Sequence, residues 1–183
     1  MNKRNIFSWA LYDFANSFVF ITFLLYFSKW IVVERGLSDW WYNATYIIGS
    51  LGLIIFAPFF GRRADINGKG RRYLTFSTIF CFVSYGLAVL SVAHGDGLLT
   101  PAVFFGLGNF FYQISFVFYN PLLNTLAGAH NRGRISGLGY LANYSGQILA
   151  ILVSLPFVSG SFSLFGLNPL LAPLAISTSV FIL

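Results

Sequence analysis

Charged and amide side chains are scarce in this chain, and their spacing is where any chemistry has to be sought. Trp9, Asp13, Asn16 and Ser17 recur at i, i+4, i+7 and i+8, one face of a helix. Asn109, Tyr112 and Gln113 stand at i, i+3 and i+4, with Asn120 three turns on. Ser136, Tyr140, Asn143, Tyr144 and Gln147 form a polar stripe, beside a stripe of small residues at Gly139, Ala142, Gly146 and Ala150. A carboxylate and several amides can bind a polar solute or pass a proton, but they are not a hydrolytic set. The only histidines, His94 and His130, fall in loops on opposite sides, no HExxH or metal-spaced His/Cys group is present, and Ser136 has no histidine at its depth to serve as base. No cofactor is expected, and no enzyme activity. Cys81 is a lone cysteine inside an apolar run, read as a small buried hydrophobe.

These polar residues lie within stretches that are otherwise apolar. Of 183 residues, 57% are hydrophobic and 9% charged, against about 25% charged in a soluble domain. A soluble core of this size could not hide so much apolar surface, so the chain is expected in lipid. The segment 61–72, GRRADINGKGRR, holds five of the eleven Lys and Arg residues and one of the five acids. Uncharged stretches 42–60 and 73–93 flank it, each long enough as a helix to cross a ~30 Å hydrocarbon core. By the positive-inside rule the basic hairpin is cytoplasmic. Nine of the eleven basic residues then fall inside, and Lys29 and Arg35 lie at the outer side. The net charge of +6 is therefore a topology signal that also favours anionic lipid headgroups, and nucleic acid is rejected as a partner.

Six spans result: 14–33, 42–60, 73–93, 99–120, 135–158 and one starting near Pro169, with 159–168 as the last turn and 61–72 and 121–134 as inner loops. Both chain ends are expected near the cytoplasm, with a sixth helix that stops short, as in a truncated chain. Trp9, Tyr12, Tyr73 and Tyr119 are expected in an inner aromatic belt, and Trp30, Trp40, Trp41 and Tyr42 in an outer one. The amides of three spans are expected to face a shared interior, because an amide facing lipid is costly. Asp13 reads either as a helix N-cap or as a gating or proton-coupling group. Asp65, a lone acid among cations, reads as a latch whose partners would be an arginine or a helix N-terminus. The two triples of helices run in opposite directions, which is the inverted-repeat plan of many secondary transporters.

The hairpin resembles the signature loop of the major facilitator superfamily, Gly-x-x-x-Asp-basic-x-Gly-basic-basic. Gly61, Asp65, Gly68 and Lys69 match, Arg71 and Arg72 come one position late, and Ile66 stands where a basic residue is usual. SWALYDFANS at 8–17 and SGLGYLANYSG at 136–146 look like the branch that holds an autophagy-related vacuolar amino-acid effluxer and bacterial relatives of unassigned substrate. The resemblance implies an all-α polytopic membrane fold, the amino-terminal six-helix half of a twelve-helix carrier with a 3+3 inverted repeat, placed in a bacterial cytoplasmic membrane. It implies alternating-access transport of a small polar solute, for which an amino acid is a hint, coupled to protons or sodium, with the carboxyl-terminal half as partner. Gly61, Asp65, Gly68, Arg71 and Arg72 inherit the inner-gate role. Asn16, Asn109, Gln113, Asn143 and Gln147 are the cavity candidates and Asp13 the coupling candidate. The rival readings are a complete six-helix protein acting as an oligomeric or accessory subunit, and a membrane-embedded enzyme.

Overall fold

The computed structural model describes residues 3–128, 130–162 and 168–181. Among them every element is helical. Helix α1 spans Lys3–Thr22 and continues through two π-wound stretches, Phe23–Phe27 and Trp30–Glu34. Then follow α2 (Trp40–Ile66), α3 (Gly70–Ala93), α4 (Leu99–Leu126), α5 (Arg132–Val158) and α6 (Leu171–Val180). Five of these are long and apolar enough to cross a membrane, and α6 is a shorter apolar helix. Part of the last expected turn, 163–167, lies outside the described residues.

Short connections make successive helices antiparallel, so the start of α1, the α2–α3 turn and the α4–α5 linker share one end. Lys3, Arg4, the cations of 61–72, Arg132 and Arg134 gather there, and it is called the basic end below. At the opposite end, Arg35 lies over the Trp30 ring at 4.9 Å and donates to the Asp96 carbonyl at 2.7 Å. Asn168 donates to Glu34 at 2.7 Å.

The packing has an internal symmetry. Helix α1 runs along α5, and α4 runs along α2; α3 lies against α4, and α6 against α1; α3 and α6 touch each other. Exchanging α1 with α4, α2 with α5 and α3 with α6 maps that set of neighbours onto itself, as an inverted 3+3 repeat requires. The α1–α5 and α2–α4 crossings each use a glycine. A Cβ on Gly146 of α5 would run into the Phe14 carbonyl of α1, and one on Gly49 of α2 would lie 2.9 Å from the Gly106 carbonyl of α4. Small residues allow that backbone approach where lipid supplies no hydrophobic drive between helices.

The arrangement leaves α2 and α5 the least covered. Only 6% of the apolar stretch of α2 is buried and 17% of that of α5, against 56% for the first span and 50% for α4. Helices α1, α3, α4 and α6 form the core, around Phe23, Phe27, Ile31, Tyr85, Phe105 and Leu174. Phe23 stacks on Tyr85 at 4.0 Å and Phe27 on Phe105 at 4.3 Å. Cys81 is buried here, its thiol 3.4 Å from the Gly108 carbonyl.

Several boundaries differ from the sequence expectation. The loop 61–72 is mostly helix: Gly61–Ile66 closes α2, Asn67–Lys69 turn, and α3 opens at Gly70. Likewise 121–126 belongs to α4, with Pro121 inside it. Polar and basic residues had marked both stretches as loops, yet a transmembrane helix can extend past the hydrocarbon into water, where such side chains are at home. Both aromatic belts also fail in part, at Trp9 and Tyr119 of the inner one and at Trp30 and Tyr42 of the outer one. Trp9 and Tyr119 are buried, stacked at 4.9 Å and 3°, and Trp30 is 3% exposed. Trp40 and Trp41 do stand exposed, at 63% and 45%.

Candidate functional site

Asp13 is central to the site. It lies well inside α1, which begins at Lys3, so the N-cap reading does not hold: its neighbours' N–H groups are already within a continuous helix. All four residues of its face, Trp9, Asp13, Asn16 and Ser17, are buried, at 8%, 8%, 1% and 1% exposure. The face turns toward α5 because the small stripe of α5 lets it in: a Cβ on Gly139 would stand 2.6 Å from the Trp9 ring. With the backbones this close, the polar stripe reaches across. Asn143 Nδ2 donates to Asp13 Oδ1 at 3.3 Å, and Gln147 Nε2 donates to Asn143 Oδ1 at 2.8 Å. Carboxylate and two amides thus form one chain along the α1–α5 seam.

That chain opens on a cavity of about 390 Å³ at the basic end, between α1, α4 and α5. Trp9, Asp13, Tyr119, Asn120, Ser136, Tyr140 and Asn143 line it. Tyr119 donates to the Trp9 carbonyl at 3.0 Å, which fixes the stacked pair against the cavity wall. Farther along α1, Asn16 Nδ2 and Ser17 Oγ are buried without a hydrogen-bond partner among the described residues, as is Trp9 Nε1.

Asn109 and Gln113 belong to a second seam. Asn109 Nδ2 donates to the Tyr46 carbonyl at 3.1 Å, and Gln113 Nε2 to Ser50 Oγ at 2.7 Å, both across the α2–α4 contact. The structure therefore divides the amides: Asp13, Asn143 and Gln147 on the α1–α5 side, Asn109 and Gln113 on the α2–α4 side. Beside the second seam, toward the opposite end, lies an apolar groove of about 800 Å³ lined by residues such as Trp40, Gly49, Gly52, Ala102 and Phe110. Ser50 was not anticipated. It is a lone hydroxyl sixty-three residues from its partner, and local sequence carries no sign of such a pairing.

The residues of the hairpin sit together at the basic end. Asp65, Gly68, Lys69, Arg71 and Arg72 line a cavity of about 610 Å³ over Val117, Phe118 and Leu122 of α4. Gly68 holds φ +59, which lets the chain reverse within three residues. Asp65 is exposed in the last turn of α2, a helix C-terminus rather than an N-terminus, and it makes no ion pair with Arg71 or Arg72 among the described residues. The cause is local: Asp65 and the two arginines flank the turn on different helices, and each is free to stay hydrated. Gly61 lies against α4, where a Cβ would meet Val117 at 3.2 Å.

A bundle of antiparallel apolar helices, internally paired as two inverted triples and carrying a buried carboxylate–amide chain beside a cavity, is the architecture of a polytopic membrane protein. The profile of the Major Facilitator Superfamily matches residues 1–151, and the chain belongs to that family of membrane transporters. No curated protein and no solved structure matches the chain.

Proposed function

We propose that this chain forms one half of a secondary active carrier that moves a small polar solute by alternating access. The observation that carries the reading is the Asp13–Asn143–Gln147 chain, which joins two helices along a seam and ends at an open cavity. A buried carboxylate whose partners are neutral groups is costly to keep charged. Proton binding at Asp13 would relieve that cost, so Asp13 is the coupling group. Asn16, one helical turn on, extends the polar path. Asn109 and Gln113 set the α2–α4 seam whose rocking would follow the same symmetry. The exposed faces of α2 and α5 are where a carboxyl-terminal half would pack, and both chain ends would lie in the cytoplasm of a bacterial cell. The stretches at 8–17 and 136–146 favour an amino acid as the solute.

At the basic end, Asp65 with Gly61, Gly68, Arg71 and Arg72 forms the inner gate. Its carboxylate is unpaired in this conformation, which suits an acid that finds its partner when the gate closes. Gradient-driven uptake of radiolabelled amino acids into proteoliposomes holding the purified protein tests the reading. Uptake that follows an imposed proton gradient and falls at least ~10-fold in Asp13→Asn is expected; flux indifferent to both would overturn it. Asp65→Asn should slow flux while folded protein is kept, and unchanged flux would remove the gate role.

A further inference from the structure

Among its described lining residues, the cavity between α1, α4 and α5 carries a single charged one, and that residue is an acid. Asp13 lines its wall, and no Lys or Arg is among its described lining residues. The hairpin cavity at the same end is lined by Lys69, Arg71 and Arg72 and by one acid, Asp65. Compartments of opposite net sign thus lie at one end of the bundle, and an anion would be drawn to the second and repelled by the first. Asp13 receives its hydrogen bond from Asn143, a neutral amide already engaged by Gln147. A buried carboxylate so placed gains most from a cation that donates hydrogen bonds to it.

The rest of the lining narrows the cation. Asn120 lines the same space, with Tyr140 as the exposed ring; Trp9 and Tyr119 are stacked on each other, and Tyr12 stacks on Tyr119 as well. The Trp9–Tyr119 pair is rigid, stacked and tied by the Tyr119 hydroxyl. Aromatic faces attract organic cations, whereas sodium prefers a cage of oxygens. We propose that this cavity binds a small organic ammonium ion, with its N–H groups on the Asp13 carboxylate and its carbon atoms against the Tyr140 ring and the wall formed by the stacked Trp9–Tyr119 pair. As the carried solute it rests on the transport reading above; as a bound ligand it stands without it.

The test is equilibrium binding to the purified protein in nanodiscs, read by intrinsic tryptophan fluorescence and by the thermal unfolding midpoint. The probes are n-propylammonium, n-propanol, propionate and sodium, the first three similar in size and different in charge. Saturable binding of n-propylammonium alone is expected. Asp13→Asn should weaken it at least ~10-fold, and Tyr140→Leu about 3–10-fold, since a ring–cation contact is worth roughly that factor. Tyr140 is 64% exposed, so its replacement keeps the fold and decides the matter if Asp13→Asn does not accumulate. Asp39→Asn, at the far end, should bind as the parent does. Propionate, propanol or sodium binding as well as n-propylammonium would overturn the assignment, and so would unchanged affinity in both folded variants. Flux separates the two readings: ammonium bound but never carried removes the cargo role and leaves the site, while flux of other solutes without ammonium binding removes the site and leaves the carrier.

Discussion

Asp13 and Asn143 meet across 130 positions of sequence, and each explains the other. An amide on the lipid-facing part of α5 would be costly, and a carboxylate inside α1 more so; joined, they satisfy one another at 3.3 Å. Replacing Asn143 with Leu removes the donor and leaves the carboxylate buried without it. Solute binding and uptake should fall at least ~10-fold in Asn143→Leu, measured in the same nanodisc and proteoliposome assays, while Asn143→Gln should recover part of the loss. Tyr119 works differently. Its hydroxyl fixes the Trp9 carbonyl and its ring fixes the Trp9 ring, so Tyr119→Phe keeps the stack and loses the bond. A net loss of ~0.5–1.5 kcal/mol is expected in denaturant unfolding, with the cavity kept.

The seams between elements depend on glycine more than on any polar contact. Gly146 admits the Phe14 backbone, and neither carbonyl nor helix axis can step aside as a side chain would. Gly146→Ala should therefore destabilise the α1–α5 pair by about 1–3 kcal/mol and break the Asn143–Asp13 bond; a folded variant with parental unfolding midpoint and solute affinity would contradict this. Gly137, with open space beside it, is the contrast: Gly137→Ala should be tolerated. At the α2–α3 turn the constraint is conformational. Gly68 has φ +59 and nothing near its would-be Cβ, so Gly68→Ala costs ~1 kcal/mol from backbone strain alone and should slow flux only through the hinge. The two π-wound stretches of α1 let one helix pass the membrane and still present Phe23, Phe27 and Trp30 to the core. Such stretches are frequent at functional sites.

The whole molecule is organised by a two-fold exchange of triples and by a difference in charge between its ends. With the cations at one end, Cys introduced at Asp65 and at Asp96 should be labelled by an impermeant maleimide from opposite faces of sealed vesicles, and native Cys81 from neither because it is 1% exposed. Labelling of both positions from the same face would overturn the antiparallel arrangement. The same symmetry leaves α2 and α5 bare on equivalent sides, so a polypeptide that packs on the bundle there would meet two faces rather than one.

Composition and charge alone determine that the chain is a set of apolar helices with a basic end, because transfer to lipid and the resistance of Lys and Arg to translocation act on local segments and need no partner. Periodicity alone also places Trp9, Asp13, Asn16 and Ser17 on one face, which the structure buries together. Element ends were less legible. A helix that leaves the hydrocarbon carries Arg62, Arg63 and Asp65 without penalty, so 61–66 reads as loop and folds as helix. Only the tertiary structure decided which amides share a seam: Asn143 with Asp13, Gln113 with Ser50. It also decided that Trp9 and Tyr119 stack inside rather than line the membrane surface. Those outcomes depend on which backbones approach closely enough, at Gly146 and Gly49, and closeness between helices a hundred residues apart is a property of the packed bundle, not of any one stretch.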